Sequence, residues 1–218
     1  FQSSFMNDQN AQLNDLAAIR SLMDKSSRFI SLSGFSGIFV GIYALIGAGI
    51  AYFKFGYRDD LGFYNERTAH SFEPNKLFPF IIADATIVLI LSLITAWYFT
   101  NRRAKKNNVK LFNKPGLKLI SNLFIPLVTG GLFCLILLSQ HLLFLIAPSM
   151  LIFYGLALIN GSKFTLDEIR YLGYMEIVLG LLAAANPKFG LLSWCIGFGV
   201  LHILYGAFMW NKYERTEK

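Results

Sequence analysis

Three ionisable side chains, Asp84, Glu176 and His202, stand inside long apolar runs of this chain. In hydrocarbon an unpaired charge costs about 2.5 to 3.5 kcal/mol on insertion scales, so each needs a partner, water or a change of protonation. A carboxylic acid and an imidazole in one low-dielectric site can hold a proton, an amine or a lipid headgroup, and they titrate as a coupled unit. Glu176 shares a helical stripe with Gly173, Gly180 and Ala183, and His202 shares one with Cys195, Gly199 and Gly206. Small-residue stripes face other helices in a membrane, so both side chains are expected to point into a bundle.

Counting ~1.5 Å per residue from Tyr171 and from Trp210 puts Glu176 about 8 Å and His202 about 12 Å inside the same membrane boundary. Ser36, Tyr154 and Tyr205 fall near that level. The expected ligand site is therefore a polar layer of Glu176, His202, Ser36, Tyr154 and Tyr205, open to the cytoplasm or the inner leaflet. A structural hydrogen bond between the fifth and sixth spans is the competing reading. Asp84, about 9 Å below the opposite face by the same rise, is expected to form a second polar site near Gln140 and His141. No catalytic residue, cofactor or metal site is assigned. Of the 3 histidines, His70 and His141 lie outside the apolar core, short of what a zinc or haem site requires.

The elements that must position these groups follow from composition. The chain is 55% hydrophobic and 15% charged over 218 residues, which leaves too little polar surface to cover a water-soluble domain. Apolar runs at roughly 29–52, 78–100, 119–139, 142–160, 169–186 and 190–210 each approach the ~20 residues that cross ~30 Å of hydrocarbon. The expected fold is all-α: a bundle of six transmembrane helices arranged as helical hairpins, with an N-terminal cytoplasmic amphipathic helix. By residue, 1–5 read as the tail of a cleavable tag, 6–28 as the cytoplasmic helix, 29–211 as the transmembrane domain and 212–218 as a cytoplasmic tail. Leu13, Leu16, Ile19, Leu22 and Met23 give the N-terminal helix its apolar face, which Asp15 interrupts.

Of the 20 Lys and Arg residues, all but Lys54, Arg58, Arg67, Lys76 and Lys188 fall on one side of these spans, so both termini are expected in the cytoplasm. The formal charge of +7 is concentrated in the run that includes Arg102, Arg103, Lys105 and Lys106. Anionic lipid headgroups account for that placement, and nucleic acid is not an expected partner. The outer segment 54–77 mixes charges with aromatic residues and reads as a solvated loop whose rings rest at the interface, with a lid over an outward site as the alternative. Cys134 and Cys195 fall inside apolar runs and read as small apolar residues.

Gly34, Gly37, Gly41, Ala44, Ala48 and Ala51 make one smooth stripe on the first span. Close packing within the bundle is expected there, with homodimerisation through the same stripe as the alternative. Span one matches span five at an offset of 139, Gly34, Gly37, Gly41 and Ala44 falling against Gly173, Glu176, Gly180 and Ala183. Spans four and six match at an offset of 51, through Tyr154-Gly155 and Tyr205-Gly206. These four helices are expected to pair as parallel repeats, and chance likeness between glycine-containing helices is the alternative. Thr165-Leu166-Asp167-Glu168 has the spacing of a capping box and is expected to start span five.

Gly34-Phe35-Ser36-Gly37, with His202 on the last span, resembles the rhomboid serine proteases. In that family the motif belongs to the fourth span near the outer side, whereas here it lies in the first span near the inner side. An intramembrane hydrolase is accordingly the remote alternative. The stretch from Arg20 to Gly34, together with Leu201-His202-Ile203, resembles an uncharacterised bacterial family of polytopic membrane proteins over most of the chain. That resemblance implies a multi-pass protein of the bacterial inner membrane and no catalytic residue. The reading that results is a small transporter or lipid/small-molecule binding protein of unknown ligand. Its alternative is a non-catalytic membrane partner or regulator scaffold; enzymatic activity is not expected.

Overall fold

The computed structural model of the chain describes residues 28–29, 32–55, 74–110 and 112–215. The N-terminal helix expected over 6–28, Arg28 apart, lies outside the described residues, as do most of the outer segment and residues 216–218. Among the described residues there are helices and no strand. They are α1 (Gly34–Phe55), α2 (Pro74–Lys106), α3 (Lys114–Ser139), α4 (Ile146–Ser162), α5 (Glu168–Ala185) and α6 (Pro187–Glu214). A short 3-10 turn, Leu143–Leu145, leads into α4, and α6 contains two π-helical stretches, Cys195–Leu201 and Trp210–Glu214.

Five helices, all but α5, are long and apolar enough to cross a membrane. Helix α5 is an 18-residue helix that carries Glu168, Arg170 and Glu176. Helices α2 and α3 present Ile87, Leu93, Trp97, Phe124, Ile125 and Leu135 outward, each more than half exposed. A water-soluble monomer does not tolerate apolar faces of that extent. The chain is a multi-pass integral membrane protein, and these faces meet lipid.

Local chemistry sets several helix ends. Asn113 accepts a 2.8 Å hydrogen bond from Gly116 N–H, and Pro115 occupies the first turn of α3, where its missing donor costs nothing. The capping box expected at Thr165 does not form. Phe29 N–H donates to Phe164 O at 2.7 Å, and this draws Phe29 O within 2.6 Å of the Thr165 hydroxyl, which donates to it instead. Thr165 is fully buried, so the nearest strong acceptor takes its proton. Glu168 turns to Lys212 and Tyr213, and Asp167 occupies the N-cap without capping it, its carboxylate accepting from Arg28 and Arg170 instead. The same contacts hold α6 helical to Glu214, beyond the end expected at 211.

Two helix pairs repeat one packing register. On α4 and α5, a Cβ added to Gly155 would stand 2.6 Å from Gly173 O, and one added to Gly173 would stand 2.8 Å from Gly155 O. Gly34 and Gly206 stand in the same reciprocal contact on α1 and α6. Their next neighbours correspond too: Gly180 meets Pro148 and Ile152, while Gly41 meets Gly199 and Ile203. Adding 51 to each α4 number and subtracting 139 from each α5 number converts one set of contacts into the other. In both pairs the numbers on one helix rise as those on its partner fall, so each pair is antiparallel. The glycine stripe of α1 is thus covered by α6, and Gly47 lies against Val88 of α2.

Candidate functional site

Glu176 of α5 and His202 of α6 come from opposite members of the two equivalent pairs and meet between them. Position 176 corresponds to Gly37, and position 202 to Leu151. In one pair Gly37 lies against His202 O, 3.2 Å from a notional Cβ; in the other Glu176 lies beside Leu151, because both crowd the Cβ position of Gly197. Each pair has one small or apolar residue where its counterpart has an ionisable one, and the two ionisable residues converge.

The imidazole is held on both nitrogens. Nδ1 lies 2.9 Å from Gly197 O and Nε2 lies 2.7 Å from the Tyr154 hydroxyl. A carbonyl only accepts, so Nδ1 carries a proton; in the neutral ring Nε2 then accepts from the Tyr154 O–H. The acceptor carbonyl belongs to the π-helical stretch of α6, a distortion that is frequent at functional sites. Phe198, one turn before His202, stacks on its ring at a centroid distance of 5.9 Å, and Trp194 continues the ladder 5.3 Å from Phe198.

The Glu176 carboxylate is 0% exposed, and its Oε1 stands 3.5 Å from His202 Nδ1, beyond a normal hydrogen bond. Among the described residues neither of its oxygens has a hydrogen-bond partner, nor does the buried hydroxyl of Tyr205. Gly197 makes room for the acid, since any Cβ there would overlap Glu176 Oε2. Burying a carboxyl without donors is costly, and sites of this kind in native proteins mark ligands, protons or ordered water.

The structure therefore brings together Glu176, His202 and Tyr154. Tyr205 packs with Tyr154 against Leu158, Ile169 and Leu172. Ser36 is spent at the start of α1, donating to Ser33 O at 2.6 Å, and the serine–histidine pairing that a hydrolase requires is not formed. Asp84 does not sit beside Gln140 and His141. Its carboxylate lies against Gly47, 3.3 Å from a notional Cβ, because α2 packs on α1 rather than on α3. Among the described residues no three His, Cys, Asp or Glu side chains cluster to hold a metal ion.

Arg103 departs from the basic run in which the sequence places it. Arg102, Lys105 and Lys106 are exposed, whereas Arg103 is buried and donates to Leu32 O, to Tyr213 O at 3.1 Å and to Glu214 at 3.2 Å. Glu214 also accepts from Gly34 N–H at 2.6 Å. This clamp joins the ends of α1, α2 and α6, and an isolated glutamate so far along the chain gave no hint of it.

The site and fold define a multi-pass helical membrane protein with an acid–imidazole pair at the junction of two like helix pairs. Comparison with protein-family models, curated proteins and solved structures finds no match for the chain.

Proposed function

We propose that this protein is a small transporter or a lipid/small-molecule binding protein of a bacterial inner membrane, with Glu176 and His202 as the core of its site. In this reading α5 also crosses the membrane, which makes six spans, the helices form hairpins, and both termini face the cytoplasm with the basic end of α2. A single observation carries the proposal: a wholly enclosed carboxylate with no hydrogen-bond partner among the described residues on either oxygen, set 3.5 Å from an imidazole nitrogen. A stabilising hydrogen bond between α5 and α6 would be shorter than the 3.5 Å of this contact. Its position between two like-packed helix pairs supports the reading, because transporter sites form at such junctions, near the bilayer midplane.

Native mass spectrometry of protein released gently from membranes tests the proposal. Wild-type protein is expected to carry a lipid or small solute that the Glu176→Gln variant lacks. Identical spectra for the two would overturn it. The alternative of a regulator scaffold would instead reveal a protein partner in both.

A further inference from the structure

We infer that the primary ligand of this site is a proton, shared between Glu176 and His202 and exchanged through Tyr154. The inference rests on the reading above, in which α5 and α6 lie in the membrane and this pair is the site. Gly197 and Leu151 lie beside the carboxylate, which is wholly unexposed. A proton is the one ligand that needs no further space. It is also the one that an unpartnered buried carboxylate most needs, because neutralisation removes the cost of enclosing the charge.

The proton has two places to rest. On Glu176 it makes a neutral acid beside a neutral imidazole, whose Nδ1–H donates to Gly197 O while Nε2 accepts from Tyr154. On Nε2 it makes an imidazolium, with Tyr154 turned from donor to acceptor and Nδ1–H facing the Glu176 carboxylate across 3.5 Å. Both arrangements carry no net charge, and passing from the first to the second breaks the Glu176 O–H and forms the His202 Nε2–H. Loss of the proton to water leaves a net negative site in hydrocarbon. Among the described residues, Tyr154 of α4 meets His202 directly, Tyr205 of α6 packs with Tyr154 against one apolar cluster, and α1 approaches His202 through Gly37. The Gly197 carbonyl that orients the ring lies in the π-helical stretch of α6, so the protonation of His202 is linked to the geometry of that helix.

Infrared difference spectroscopy of the full chain in lipid nanodiscs, recorded through a pH titration, tests this. Wild-type protein is expected to show a protonated-carboxyl band and an imidazole band that change in one step. Glu176→Gln removes from the carboxyl band the component that changes together with the imidazole, and His202→Gln keeps that component but shifts its midpoint. A carboxyl change coupled to the imidazole that survives Glu176→Gln, or no such coupled change in the wild type, overturns the inference. Should Glu176→Gln fail to fold, Gly197→Ala crowds the same oxygen; a shifted midpoint is expected, and an unchanged one overturns the inference. The two proposals fail separately. Titration without any bound solute leaves the proton site and removes the solute-binding reading, while a bound solute without titration does the reverse.

Discussion

The carboxylate of Glu214 accepts a 2.6 Å hydrogen bond from the backbone N–H of Gly34, so the last turn of α6 caps the first turn of α1. The free N–H groups at a helix start carry partial positive charge, and a carboxylate satisfies them better than a neutral acceptor. Arg103 closes the same clamp from α2. Replacing Glu214 by Ala removes the cap and leaves a buried guanidinium without its carboxylate. The expected loss is about 3 kcal/mol, in the range for breaking a buried pair by removing one partner. Thermal unfolding in detergent measures it, and an unchanged transition contradicts the clamp.

The matched registers of the two helix pairs predict matched sensitivity. Gly155→Ala and Gly206→Ala each place a Cβ against backbone atoms of the facing helix, which cannot rotate away. Each is expected to cost about 1–3 kcal/mol, as overpacking does, by pushing the pair apart. Gly131→Ala, with nothing within 4 Å, is the control and should be neutral or slightly stabilising. Equal stability of all three variants in unfolding assays would remove the packing equivalence.

Gly197 and Glu176 are expected to be coupled. Gly197→Ala crowds Glu176 Oε2, so much of its cost should vanish when Glu176 is already shortened to Ala. A double-mutant cycle is expected to show an interaction energy of about 0.5–3 kcal/mol, as for residues in direct contact. Additive losses would place the strain on Leu151 alone.

Much of this site was legible in the sequence because lipid simplifies the problem. Polar residues are rare there, and counting the helical rise brought Glu176 and His202 to one level. The glycine spacings likewise gave the offsets that the contacts of Gly34, Gly206, Gly155 and Gly173 reproduce. What could not be read depended on partners distant in the chain. Arg103 looks like Arg102 and Lys105 until Glu214 is placed beside it, and Thr165 looks like a cap until Phe29 competes for its hydroxyl. Asp84 was assigned by depth, which says nothing of azimuth around the bundle. The π-helical stretch has no marker in residue type, since its glycines are also those of helix packing.

Acid is expected to loosen the end of the bundle where Glu168 meets α6. Partial burial pushes the Glu168 carboxyl up, but hydrogen bonds from Lys212 and Tyr213 outweigh it and hold the group below its usual value. A carboxylate with a lowered folded-state value stabilises the fold above its unfolded value, and that contribution fades as pH falls through the folded one. Glu168→Gln should therefore flatten the acid limb of the stability–pH curve and lower stability at neutral pH. Parallel curves for variant and wild type would contradict the contact.

Ligand-dependent thermal stabilisation of the wild type and Glu176→Gln, compared in the same lipid and solute panel, tests the central claim most directly. The account predicts that at least one lipid or solute raises the wild-type unfolding temperature, and that Glu176→Gln folds but loses this response. A full response in the variant would contradict a site built on Glu176 and His202.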